Sequence, residues 1–279
     1  MPEPPRSLAS LEARIRNEAG RAGRADNTIA RLVANVIVGQ LLPPGVVKGG
    51  SALKIRMGDA QTRFSRDLDA ARSAGATLDE YLDELDENLR AGWHGFTGTV
   101  RDAPPPRVPP TVPPEYVMKP FKIALAYKGS AWVTIDFELG RDEVGSTAAP
   151  DLAIARAVLD LFAALGLPEP APIALLPVDH QIAQKLHACT WAGDGRGNDR
   201  AHDLVDLQVL VRGERPDLAA AGITAARLFA SRRAQAWKPV VVAYDNWGSI
   251  YAAAAESLEV LATVDEAIAW ANKELIANM

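Results

Sequence analysis

Lys48 to Ala71 reads "KGGSALKIRMGDAQTRFSRDLDAA", a glycine pair running into a serine and ending on two aspartates separated by one leucine. Glycines let a backbone come close to a polyphosphate, and Ser51 after them opens a helix whose free N–H groups favour anionic oxygens. Read as a strand, "FSRDLDA" alternates, so Ser65, Asp67 and Asp69 project from one face while Phe64 and Leu68 pack on the other. Two carboxylates held together repel each other unless cations sit between them. An Asp-x-Asp pair at a strand end is therefore a natural clamp for the Mg²⁺ of phosphoryl or nucleotidyl transfer. Arg56 and Arg63 are close enough in sequence to add positive charge for the phosphates.

A chance D-x-D is common and a Gly-Gly turn usually only reverses the chain. The order strand, glycine turn, helix, strand and carboxylate pair is more specific than its parts.

Working outwards, Leu8, Leu11 and Ile15, and then Ile29, Leu32, Val33 and Val36, recur at helical spacing, so two helices precede the stretch. Pro43 and Pro44 stop the second, and "GVVKGG" reads as a short buried strand. Helical character resumes at Ser51. Downstream, 78–89 forms an amphipathic helix, "HGFTGTV" a strand, and "APPPRVPPTVPP" a stiff proline-rich excursion between strands. "EYVMKPFKIALAYKG" and "AWVTIDFELG" pair as a hairpin turning at Gly129 and Ser130. Val133, Ile135, Phe137 and Leu139 share one face of the second strand and Thr134, Asp136 and Glu138 the other. Asp136 is a third carboxylate that could face the same metals; solvent exposure explains both acids equally well. From Asp151 the pattern is helical. The fold class is α/β, with a sheet-containing domain over 1–145 and a helical one over 146–279.

The chain has 279 residues, 48% of them hydrophobic and 23% charged, the balance of a globular protein. Its N-terminus lacks a signal-peptide core and no segment has the length of a membrane span, so a cytoplasmic protein is expected. The single cysteine, Cys189, reads as a packed thiol. Four histidines, His94, His180, His187 and His202, show no metal spacing, which speaks against zinc. A net charge of −5 excludes a uniformly basic nucleic-acid surface. Local patches remain at Arg196 to Arg200 and at Arg232 and Arg233. In "KLHACTWAGDGRGNDRAHDLVDLQVL", spacing alone makes Lys185 a snorkelling stem and puts Asp203 and Asp206 on one solvated helix face.

"KGGSALKIR" with "RFSRDLD", followed much later by "IAQKLHA" and "RAHDLVDL", resembles the AbiEii/MenT family of nucleotidyltransferase-like toxins. The resemblance runs from Lys48 to Leu207, with all four elements in order. It implies a polymerase-β-like nucleotidyltransferase core, a mixed sheet with flanking helices, followed by a helical C-terminal domain. It also implies a toxin with a cognate antitoxin; some members add pyrimidine nucleotides (CTP or UTP as NTP substrate) to the 3′ acceptor end of tRNA and stop translation. Carried over by position, Gly50 and Ser51, with Gly49, would hold the triphosphate. Asp67 and Asp69 would bind Mg²⁺ beside Ser65, Lys185 would contact nucleotide phosphates, and Asp203 or Asp206 would complete the site. Two departures stand out: "MGDAQ" lengthens the spacing between glycines and aspartates, and His202 replaces a basic residue. The other readings are a nucleotidyltransferase acting on a protein or small hydroxylated molecule, and a non-catalytic antitoxin-binding relative. With no long exposed apolar stripe left over, a monomer is expected.

Overall fold

The computed structural model describes residues 3–105, 117–191 and 198–279. The proline-rich excursion, in large part, and Arg196 of the first basic patch lie outside the described residues.

The chain divides into two compact units. The first comprises residues 1–59, 64–142 and 150–175; the second comprises 60–63, 143–149 and 176–279. The division expected near Ser146 is displaced, because the segment just after it returns to the sheet. Two three-residue strands there carry too little periodicity to be read from sequence.

In the first unit, α1 (Leu8–Ala22) starts where the Ser7 side chain accepts a hydrogen bond from the Ser10 N–H, and ends at Gly23 in the left-handed region. Next comes α2 (Asp26–Gly39), with one run of buried side chains from Leu32 to Val38. The strand β1 (Gly45–Lys48) runs directly into α3 (Gly49–Met57), so both glycines belong to the helix's first turn, two residues earlier than expected. After it come β2 (Leu68–Arg72), α4 (Leu78–Ala91, opened by a Thr77/Glu80 capping box) and β3 (Phe96–Asp102). The hairpin is β4 (Lys119–Tyr127) with β5 (Ser130–Gly140). Finally β6 (Asp151–Ala153), α5 (Arg156–Leu165) and β7 (Ile173–Leu175) complete the unit.

Among the described residues the strands form one mixed sheet in the order β3-β4-β5-β2-β1-β7-β6. Its centre decides the chemistry: β2 pairs antiparallel with β1 and parallel with β5. Ile135, Phe137 and Leu139 lie on the core face, as the alternation predicted, with Leu68, Ala70 and Val47 from the neighbouring strands. The alternation fails before Leu68. Phe64 is 50% exposed, and Ser65 and Asp67 precede the strand.

The second unit holds α6 (Val178–Thr190), α7 (His202–Glu214), α8 (Leu218–Arg232), α9 (Trp247–Ala255) and α10 (Val264–Trp270). In it α6 packs against α7 and α8, and α7 against α9. No helix among the described residues is long and apolar enough to cross a membrane.

Candidate functional site

Register brings the first unit's polar groups together. Directly opposed residues of neighbouring strands point to the same side of a sheet. Lys48 opposes Asp69 across β1 and β2, Asp69 opposes Glu138 across β2 and β5, and Asp136 opposes Lys122 across β5 and β4. The face away from the core therefore carries a row of carboxylates, Asp69, Glu138 and Asp136, with a lysine at each end. Asp67 precedes β2 by one residue and joins the row. Its carboxyl is pushed up by burial and by Asp136, against the pull of Arg66, Arg31 and Lys122. Glu138 is pushed up by burial and by Asp67, with Lys48 opposing. Burial is the larger cause at both groups, and a neighbouring carboxylate adds to it. Asp136 forms an ion pair with Lys122.

The residues around this row are placed differently from the sequence reading. Gly49 has φ +65°, and a Cβ built on it would fall 2.0 Å from Asp69 Oδ2. The missing side chain makes room for the Asp69 carboxylate at the start of α3. Ser51 is buried; its hydroxyl donates to the Asp67 carbonyl at 2.6 Å and accepts from Asn35 Nδ2 at 3.1 Å. It pins the backbone that carries Asp67. Gly50 lies in the same helical turn and Ser65 is half-buried just before the strand.

Arg56 and Arg63, expected to add positive charge for the phosphates, each hold a carboxylate partner. Arg56 pairs with Asp151 at 2.8 Å, and Arg63 forms a two-pronged pair with Asp206 at 2.9 and 3.0 Å. The cations that act on Asp67 are Arg66, Arg31 and Lys122, and Arg31 Nη1 donates to the Arg66 carbonyl at 3.3 Å. Sequence reasoning missed Lys48, Arg31, Arg66, Lys122 and the role of Glu138. Arg66 had a signal, its place beside Asp67 in "RFSRDLD"; Lys48, Lys122 and Glu138 needed the strand register, and Arg31 the packing of α2.

Asp67, Asp69, Asp136 and Glu138 fit a divalent cation by their donor chemistry, hard carboxylate oxygens gathered on one side of the sheet. Among the described residues, no three acidic, imidazole or thiolate groups close around one point. A pair of carboxylates leaves positions on a cation such as Mg²⁺ for other oxygens.

The second unit has its own polar centre, and it is not the solvated face that spacing suggested. Lys185, Asp203 and Asp206 are all buried. Lys185 Nζ donates to Asp203 at 3.1 Å and to Asp206 at 2.6 Å, while Arg200 Nε reaches Asp203 at 2.7 Å. Burial pushes the Asp203 carboxyl up, but Arg200 and Lys185 overcome this and hold it below the ordinary carboxylate range. Among the described residues, Lys185, Arg200 and Arg63 each pair with Asp203 or Asp206. Burial, with Arg63 and Arg200 nearby, lowers His202 to about 4 against the pull of Asp203, so its imidazole is neutral at pH 7.

Elsewhere in this unit Arg232 is committed inwards, with a two-pronged pair to Glu143 at 2.8 and 2.9 Å and a contact to His187 Nδ1 at 3.2 Å. It is not half of an exposed patch; Arg233, beside it, is exposed. Cys189 is fully buried, and burial raises its thiol well above the usual range, as a packed core cysteine requires.

A mixed sheet with a carboxylate row beside a glycine-initiated helix is the layout of a nucleotidyltransferase, and comparison with known proteins agrees. Residues 31–272 match the family model described as "Nucleotidyl transferase AbiEii toxin, Type IV TA system". The chain belongs to this family of toxin–antitoxin nucleotidyltransferases. Among solved structures it is similar to MenT4, a nucleotidyltransferase toxin of Mycobacterium tuberculosis, with a TM-score of 0.50 and 19% identity over 79% of this chain and 69% of that one. A putative nucleotidyltransferase from Helicobacter pylori matches at TM-score 0.43 and 15% identity, over 90% of this chain and 97% of its own. JHP933 from Helicobacter pylori matches at 0.38 and 16%, over 73% and 78%. No curated protein sequence matches the chain.

Proposed function

We propose that this toxin transfers a nucleoside monophosphate, preferably a pyrimidine one, from an NTP to the 3′ acceptor end of tRNA and so blocks translation. The observation that carries the transferase part is the carboxylate row Asp67, Asp69, Asp136 and Glu138, built on three strands and flanked by cations. Asp67 and Asp69 would hold Mg²⁺, which when bound supplies charge neutralisation on the phosphates. Arg31 and Arg66 orient the triphosphate beside Asp67. The attacking hydroxyl forms a bond to the α-phosphorus as the bond to the β-phosphate oxygen breaks. Pyrophosphate leaves, and the hydroxyl proton passes to a carboxylate of the row; Asp136, whose charge is felt by Asp67, is the acceptor assigned in this reading. Ser65 and Gly50 border this centre in sequence.

Lys185 is assigned to the nucleotide phosphates by family resemblance. Its ammonium rests on Asp203 and Asp206 in the second unit. The tRNA acceptor and the pyrimidine preference rest on that resemblance, and a partner antitoxin follows from the family.

The test is incubation of the purified protein with Mg²⁺, total tRNA and each α-phosphate-labelled NTP in turn, with Asp67→Ala as control. Label on tRNA from CTP or UTP, absent in the variant, is the expected result. Label appearing instead on a protein or a small hydroxylated compound would move the acceptor. No transfer to any acceptor, with Asp67→Ala still equally toxic, would leave a non-catalytic antitoxin-binding protein.

A further inference from the structure

Lys48 is the one cation that the sheet itself delivers to the carboxylate row from the β1 side. It ends β1 opposite Asp69, and Asp69 in turn opposes Glu138 on β5, so all three side chains share one face. Its direction is fixed by a second observation. A Cβ built on Gly140 would lie 3.2 Å from Lys48 Nζ and 3.7 Å from its Cε. Gly140 is two residues beyond Glu138 on β5, and it opposes Ala71 of β2. The lysine stem therefore crosses the whole width of β2, and its ammonium comes to rest over β5, in room left by a missing side chain.

We propose that Lys48 is a built-in counter-cation of the carboxylate row, holding Asp69 and Glu138 together when no metal is bound and competing with the divalent ion for them. This rests on the nucleotidyltransferase reading of the row. Asp136 has Lys122 as its partner and Asp67 feels Arg66 and Arg31, whereas Asp69 and Glu138, directly opposed across β2 and β5, would otherwise repel each other until an ion arrived. A tethered ammonium over these two keeps the face assembled and weakens ion binding, so that metal is held firmly only together with the phosphates it serves. Lys48 is thus a positioning residue; it acts through Asp69 and Glu138.

The experiment is calorimetric titration of the full chain with Mn²⁺ in the absence of nucleotide. Lys48→Met is expected to tighten binding roughly tenfold, the Coulomb repulsion between an ammonium and a divalent ion a few ångströms apart in a water-like dielectric. It is also expected to lower Tm in EDTA but not in excess Mn²⁺. In a Glu138→Gln background the gain should shrink. Gly140→Ala pushes the ammonium aside without deleting it and should act in the same direction with smaller size, which keeps the test decisive even if Lys48→Met fails to fold. Unchanged or weaker Mn²⁺ binding in folded Lys48→Met or Gly140→Ala overturns the proposal. If the wild type binds Mn²⁺ no better than Asp67→Asn, the metal-site reading itself fails, a result distinct from equal, firm binding by wild type and Lys48→Met.

Discussion

A methyl group at Gly49 would occupy space that the Asp69 carboxylate already fills, and the φ of +65° adds backbone strain. Gly49→Ala is expected to cost about 1–2 kcal/mol in urea unfolding. Transfer activity should fall about 100-fold, because displacing a reacting group by an ångström is enough for that. A variant that loses stability but keeps full activity would show that Asp69 does not need its place against α3. Ser51 makes the complementary case. Ser51→Ala strips the Asp67 carbonyl and the Asn35 amide of their shared hydroxyl, at an expected cost of about 1–3 kcal/mol. Since it acts through Asp67, its metal affinity should drop with its stability; intact affinity would separate the two.

Among the elements, α6 carries a pH dependence that can be assigned a sign. Burial, with Arg232 nearby, lowers His187 from 6.5 to about 3 in the folded chain, while the unfolded chain keeps the ordinary value. A depressed folded value means stability is fully present above pH 6.5 and is lost as pH falls towards 3. Between pH 7 and 5 this one group should remove about 2 kcal/mol of unfolding free energy. His187→Leu should flatten that part of the slope in urea melts at the two pH values; an unchanged slope would place the loss elsewhere. On α7, Asp206 faces Lys185 and Arg63, and Arg63→Ala removes one of its two partners. Losing one partner of a buried ion pair costs about 3–5 kcal/mol at most, and the remaining Lys185 should keep the measured loss below that range.

For the molecule as a whole, the first half of the site was readable in the chain because its signal is local. Asp67 and Asp69 sit two residues apart, and the helix after Gly49 follows from turn chemistry. Lys48 and Glu138 were not readable, since their meaning depends on a parallel pairing of β2 with β5 that joins segments distant in sequence. The strands β6 and β7 were missed for a different reason: three residues cannot display a period of two, and "PIALLPV" reads as a continuous apolar run. Spacing put Asp203 and Asp206 on one helix face correctly but could not tell water from buried cations as their surroundings. Sedimentation is expected to return a monomer, and a stable dimer would refute that expectation.

The four-residue visit of 60–63 to the helical unit, and the later one of 143–149, mean that neither unit is a contiguous stretch of chain. A fragment ending at Leu175 would still carry Arg63 and Glu143, now severed from Asp206 and Arg232. Cutting the gene there would produce not a smaller working module but a polypeptide with stranded charges. Splitting this toxin into separately expressed halves, or shuffling its C-terminal half onto another core, would require moving three pieces of sequence at once.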